Sequence, residues 1–227
     1  AGVTIQRRPN SQEIDPYTRT WSPPSPWPPD SCPDFRRYGN NLNEYLRQYY
    51  ALVTQIDAGV GRILAELERL GMAEDTVVVF TSDHGDMQGS HGLKNKSLPY
   101  EESSGIPLIV RVPGGGGGAR TGALVSGIDF FPTALDWLGL PQVPGLPGRS
   151  FAPLSRGETQ EFNGPVFSEM RDWKMVCMGD LKLVVEGEQF TPTMLYDLAA
   201  DPYEMENLVD RREYAAEVAA LRERIVD

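Results

Sequence analysis

Between Leu42 and Leu67 apolar side chains return at steps of three and four, through Leu46, Tyr49, Val53, Ile56, Val60 and Ile63. That is the period of a helix with one apolar face, so the spacing predicts a helix over 41–70. Its length would be about 45 Å. Gly71, directly after "ERL", is placed to cap its end. The pattern then switches to "EDTVVVF", a turn followed by a run with no polar face, as in a strand covered on both sides. A polar loop, "TSDHGD", follows. Long helix, short turn, buried strand and polar loop together predict an α/β architecture. In such sheets the chemistry sits in the loops beyond the carboxyl ends of the strands.

The flanking segments read differently. Residues 1–39 hold many helix breakers, above all "TWSPPSPWPPDSCPDF", which predicts a long extended loop. Trp21 and Trp27 within it either pack against the body or form the rim of a site. Downstream, "GIPLIVRVPG" predicts a second strand, and Gly114 to Gly118 a flexible loop. "SGIDFFPTALDWLGL" predicts a helix entered at Asp129 and ended near Gly139, with Pro132 near its first turn. Beyond the loop "VPGLPGRSFAPL", four segments, "GPVFSEM", "WKMVCMG", "LKLVVEG" and "TMLYDL", predict a small antiparallel sheet. The tail, Glu213 to Val226, has the pattern of an amphipathic helix.

A chain of 227 residues can bury a sizeable core. Forty per cent hydrophobic and 23% charged residues describe an ordinary soluble globular protein. The net charge of −11 argues against a nucleic-acid partner, which needs clustered Lys and Arg. No apolar run approaches a membrane span of roughly 20 residues. Cys32 and Cys177 are far apart, and they leave cytoplasmic and periplasmic or secreted locations equally open. The start, "AGVTIQRRPN", has neither Met nor a signal sequence, as a processed or truncated terminus would.

The only two histidines, His84 and His91, fall in the loop after the apolar strand. Asp83 and His84 can both turn toward one cation, the first through oxygen and the second through nitrogen. Gly85 and Gly89 let the backbone curl past such a site. Lys96 could meet an anion held on the metal. A metal with a lysine makes a clamp for a sulfuryl or phosphoryl group. Plain alternatives stand beside this: an Asp-His pair is also a hydrogen-bonded turn, and Lys94 or Lys96 alone would be a solvated charge. The alternating acids of a calcium-binding EF-hand loop are absent, and His84 with His91 lacks a third zinc ligand at a recognised spacing.

Several segments, in this order, resemble the sulfatase family of the alkaline-phosphatase superfamily. "YYALVTQIDAGVGRILAELERLGMAEDTVVVFTSDHGDMQGSHGLKNKSLPYEESSGIPLIVRVPG" is similar to its long helix, central strand, metal loop and anion-binding lysine. "VSGIDFFPTALDWLGLP", "LPGRSF" and "LYDLAADPYEMENL" resemble its later blocks. The resemblance covers about residues 38–227 and matches the carboxyl-terminal portion of the family. It implies part of an alkaline-phosphatase-like sheet flanked by helices, plus a small C-terminal antiparallel sheet with a helix. On this reading residues 1–156 belong to the catalytic domain, with its metal loop at 81–96, and 157–227 form a small α+β subdomain. Asp83 and His84 are implied as metal ligands, Lys96 as the catalytic and sulfate-binding cation, and His91 as a substrate-side or structural residue. Calcium is the family's common metal. Imidazole is a softer donor than calcium prefers, which leaves manganese or another divalent ion open.

Two family features have no counterpart here. Sulfatases make a formylglycine nucleophile from a cysteine in a C-x-P-S-R-type motif, and neither "SCPDFR" nor "MVCMGD" fits it. The upstream Asp-Asp pair that completes the metal site is also missing. The expectation is therefore a carboxyl-terminal piece of a longer protein, partnered by the missing N-terminal part and acting on a sulfate-ester small molecule or carbohydrate. Alone it should be inactive, with an open sheet edge and exposed apolar surface. A phosphonate or phosphate-ester hydrolase of the same superfamily, and a non-catalytic binding module, are the competing functions.

Overall fold

A computed structural model describes residues 8–10, 42–93, 95–115 and 117–226. The Pro-rich stretch with Trp21, Trp27 and Cys32, and Lys94, lie outside the described residues. The chain divides into two compact units, Ala1–Gly71 with Ser82–Ile106, and Met72–Thr81 with Pro107–Asp227.

In the first unit, helix α1 spans Leu42–Arg69, close to the predicted range. It ends as expected: Gly71 takes φ 69° and donates its N–H to the Glu68 carbonyl at 3.0 Å. A left-handed residue at that point costs glycine little. Of the apolar face of α1 only Leu42 and Leu46 are buried, while Val53, Ile56 and Ile63 are exposed. The unit closes with a short helix, α2, at Glu101–Ser104.

The second unit begins with strand β1, Val78–Thr81, which pairs antiparallel with β2, Leu108–Arg111. The register sets Val78 opposite Arg111 and Phe80 opposite Ile109. Here the structure differs from the sequence reading. β1 is half-buried rather than central, and among the described residues its sheet has two strands. An apolar run marks a strand whose faces avoid water; it does not count the strands beside it. Ile109 on β2 is 64% exposed, in keeping with the expected exposed apolar surface.

Next comes helix α3, Phe130–Trp137, entered through a 3₁₀ turn at Gly127–Asp129. Asp129 is buried and joins two distant segments. Its carboxylate accepts the backbone N–H groups of Ser126 at 2.8 Å and Arg149 at 2.7 Å. Thr133 extends the junction: its hydroxyl donates to the Asp129 carbonyl and accepts the Phe151 N–H at 2.9 Å. The segments run so close that a Cβ at Gly148 would collide with the Ile128 carbonyl. Helix α4, Ala152–Ser155, follows.

The four predicted strands all form: β3 at Val166–Met170, β4 at Trp173–Met178, β5 at Leu181–Glu186 and β6 at Thr191–Asp197. They pair in sequence order, each antiparallel to the next. Alternation along the strands gives the sheet two apolar faces. Val176, Leu183, Val185 and Leu195 pack with Leu208 and with Leu221 of the terminal helix α5, Ala215–Val226. Met175, Cys177 and Val184 form a second cluster with Leu124, Val166 and Met194. Lys182 on β5 is fully buried and its Nζ lies 2.7 Å from the equally buried Glu204 carboxylate.

Candidate metal and anion site

The loop after β1 is tied down from its first residues. Ser82 donates its hydroxyl to the His84 carbonyl at 3.1 Å, and the His84 N–H donates to Asp83 Oδ1 at 3.0 Å. His84 Nδ1 stands 2.8 Å from the Gly85 carbonyl. A carbonyl only accepts, so Nδ1 carries a proton, and in the neutral ring this leaves the lone pair on Nε2. That Nε2 lies 3.4 Å from Asp83 Oδ2. The two atoms are thus near enough to share one cation, since divalent ions hold such donors at about 2.0–2.6 Å. The Asp83 side chain is 85% exposed and that of His84 39%, so the pair is open to an incoming ion. Among the described residues no cluster of three or more metal-binding side chains forms. Asp83 and His84 present one oxygen and one nitrogen donor side by side.

Gly85 earns its place by close approach. Its N–H donates to the Ser103 carbonyl at 2.9 Å, and a Cβ there would strike the Glu102 carbonyl. From here the chain doubles back as a narrow ladder. Met87 N–H donates to the Asn95 carbonyl and Gly89 N–H to the Leu93 carbonyl, both at 2.7 Å. The tight course forces positive φ on Gln88, His91, Asn95 and Ser97 as well as on Gly89 and Gly92. Such strain in non-glycine residues is held only where neighbours over-determine it. Lys96 emerges beside Asn95 and is exposed.

Asp86 directly precedes Met87 at the start of this doubled-back stretch. Its Oδ1 accepts the Gln88 N–H at 2.9 Å and the Tyr45 hydroxyl of α1 at 3.4 Å. Burial pushes its carboxyl above the ordinary range, against the hydrogen bonds from Gln88 and Tyr45 and the charges of His84 and Lys96. Glu102 is the second buried acid. Burial again raises it, but Asn10, its own backbone N–H and Arg8 outweigh that effect, and its carboxyl is held below the ordinary value. Asn10 Nδ2 donates to Glu102 Oε1 at 2.8 Å, and Arg8 Nη1 stands 3.0 Å from the same oxygen.

His91 is drawn into this packing. Its ring stacks on Tyr100 with centroids 4.1 Å apart, Asn10 Nδ2 lies 3.2 Å from its Nε2, and its N–H donates to the Asn10 carbonyl at 2.9 Å. Beside the loop lies a cavity of about 310 Å³ whose wall includes Arg8, Tyr49, Asp86, Gln88 and Glu102. Of these groups, sequence reasoning had singled out Asp83, His84, His91 and Lys96. It missed Asp86, Glu102 and Asn10. Asp86 carried a usable signal, an acid two residues beyond the histidine in "DHGD". Asn10 carried none, because its partners are 81 and 92 residues away.

A family model described as Sulfatase matches residues 11–140. The chain belongs to the sulfatase family. A second model, N-sulphoglucosamine sulphohydrolase, C-terminal, matches residues 89–227 of this sulfatase chain. An N-acetylglucosamine-6-O-sulfatase of Bacteroides thetaiotaomicron is 31% identical over 185 residues, 76% of this chain and 33% of the relative. A solved structure of a protein in complex with its substrate D-glucosamine-2-N,6-O-disulfate is 29% identical with a TM-score of 0.70. It covers 82% of this chain and 40% of its own. The phosphonate monoester hydrolase of Agrobacterium radiobacter is 30% identical with a TM-score of 0.73, over 82% of this chain and 41% of its own. The fold is thus that of the alkaline-phosphatase-like sulfatases, and the chain spans about a third of the length of the relatives it matches. Among the described residues no helix is long and apolar enough to cross a membrane.

Proposed function

We propose that this chain supplies the carboxyl-terminal part of a sulfuric-ester hydrolase acting on a sulfated carbohydrate or other small sulfate ester. The observation that carries the reading is the pair Asp83 Oδ2 and His84 Nε2, 3.4 Å apart, with the neutral imidazole held in the Nδ1–H tautomer by the Gly85 carbonyl. These residues would hold one divalent ion, calcium first and manganese or another divalent ion as alternatives. Bound there, the ion would offset negative charge on the ester's sulfate group. Lys96 carries the complementary positive charge and contacts the sulfate oxygens. The Gly85–Glu102 approach and the 87–95 ladder hold the backbone between these groups in one course. Sugar sulfates as the substrate class are supported by the relatives' names.

The nucleophile, a formylglycine, belongs to the amino-terminal part of the complete protein, so the 227 residues alone turn over no sulfate ester. Loss of the nucleophile from groups that act as a unit costs orders of magnitude. The test compares the isolated chain with the complete natural polypeptide on an aryl sulfate. Only the latter should be active, and Asp83→Ala, His84→Ala and Lys96→Ala should each lower its kcat/KM by about a hundredfold or more. Turnover by the isolated chain that Asp83→Ala abolishes would overturn the assignment.

A second reading, a phosphonate or phosphate-ester hydrolase, is favoured by the likeness to the Agrobacterium radiobacter enzyme. Tetrahedral sulfate and phosphate differ chiefly in charge, and the same three side chains would serve either. Profiling the complete polypeptide on matched aryl sulfate, phosphate and phosphonate esters separates the two.

A further inference from the structure

The cavity beside the loop has a wall that does not suit an empty void. Its volume, about 310 Å³, is in the range of small-molecule pockets. Cavities that stay dry are lined by apolar groups. This one is lined by Tyr49 of α1, Gln88 of the loop and Glu101 and Glu102 of α2, all within the first unit. Glu102 supplies a second observation. Its side chain is 3% exposed, and its Oε1 takes both Asn10 and Arg8. Its Oε2 is buried, and among the described residues nothing donates to it. A buried carboxylate oxygen without a donor is costly, and an incoming O–H or N–H group would relieve it. The cavity also adjoins the metal donors: its wall includes Gly85, whose carbonyl stands 2.8 Å from His84 Nδ1. From the polar wall, the Glu102 oxygen and the shared Gly85 we infer that this cavity receives the sugar of the sulfate ester, through the sugar's hydroxyl and amino donors. The inference rests on the reading of the chain as part of a sulfate-ester hydrolase.

The same wall sets which sugars fit. Arg8 pairs with Glu102 at 3.0 Å, while Asp86 and Glu101 bring two further acids. One basic side chain thus stands against three acidic ones. A second anion on the sugar would meet like charge in a confined space, and such repulsion is how sites reject near-identical ligands. An ammonium in the same place is attracted. Tyr49 adds an aromatic side chain with a polar tip, a surface suited to a sugar ring. The class admitted is a monosulfated neutral or amino sugar. The class refused carries a second sulfate or a carboxylate.

The experiment assays the complete natural polypeptide on an aryl sulfate, glucosamine 6-sulfate and glucosamine 2-N,6-O-disulfate, and melts each variant thermally. The two sugars differ only in whether position 2 carries an ammonium or an anion. Glucosamine 6-sulfate should show about tenfold or more the kcat/KM of the disulfate. Glu101→Gln keeps the shape of its side chain, removes its charge and should narrow that ratio about threefold. Tyr49→Ala should raise KM for glucosamine 6-sulfate about tenfold with a smaller change in kcat. Equal kcat/KM for the two sugars in the parent, or a preference for the disulfate, overturns the inference. So does an unchanged ratio in Glu101→Gln, or an unchanged KM in a Tyr49→Ala variant that melts with the parent. Should Tyr49→Ala melt lower, Glu101→Gln alone decides. In each of these cases the sulfatase reading stands as long as Asp83→Ala abolishes turnover of the aryl sulfate. Full aryl-sulfate activity in Asp83→Ala overturns that reading and this inference with it.

Discussion

At His84 a neighbouring carbonyl sets the tautomer: because the Gly85 carbonyl can only accept, the neutral ring carries its proton on Nδ1 and turns the Nε2 lone pair toward Asp83. Calorimetric titration of calcium and manganese into the complete polypeptide should show His84→Ala binding at least tenfold to a hundredfold more weakly, a range typical even of groups one step removed from a metal. Glu102 gives a prediction in pH. Its folded carboxyl lies below the ordinary value of 4.5. A depressed acid contributes stability that is present above its unfolded value and lost as pH falls through its folded value. Acid unfolding followed by circular dichroism should therefore begin below about pH 4.5, and Glu102→Gln should flatten that limb. An unchanged acid limb in Glu102→Gln would remove Glu102 from the balance. These residues also mark the reach of sequence reading. Asp83, His84 and Lys96 share one loop and could be read as a local pattern. Asn10 and Glu102 meet only after folding, and their contact leaves no trace in spacing.

At the level of elements, the helices and the terminal sheet were legible because periodicity and breakers coincide: α1 with Gly71, and four strands divided by turns. The environment of β1 was not legible, since an apolar run says which surface avoids water and nothing about which element covers it. The α3 entry was partly legible. Asp129 marks the helix start in the sequence, and the structure adds that its carboxylate accepts the backbone N–H of Arg149 twenty residues on. Two measurements test this level. Leu221→Ala should cost about 2–5 kcal/mol in denaturant unfolding, because Leu221 completes the cluster between α5 and the sheet. Gly148→Ala should cost about 1–3 kcal/mol, since the added methyl has to displace the Ile128 carbonyl. A Gly148→Ala variant as stable as the parent would mean that the two segments separate freely.

For the molecule as a whole, the exposed apolar residues of each unit carry the main expectation. Val53, Ile56 and Ile63 on α1, and Ile109 on β2, are exposed side chains of the kind that scattered singly mean little and in rows mark contact surface. The 227-residue chain should bind a hydrophobic dye and self-associate as concentration rises. Ile56→Glu with Ile63→Glu should lower dye binding without lowering its melting temperature. Concentration-independent monomers with no dye signal would count against this. The family itself was legible from the order of four sequence blocks, whereas substrate choice is not written in the loop that holds Asp83, His84 and Lys96.

The ion pair of Lys182 and Glu204 has a consequence for how the four-stranded sheet and its surroundings can vary. Each charge is fully buried against the other. Removing one partner of a buried pair is expected to cost about 3–5 kcal/mol, while exchanging both for apolar residues of similar volume is often far less costly. One-at-a-time mutagenesis will therefore record both positions as intolerant. A library that varies 182 and 204 together should therefore recover more folded variants than the two single-site libraries combined, since the two letters are read jointly.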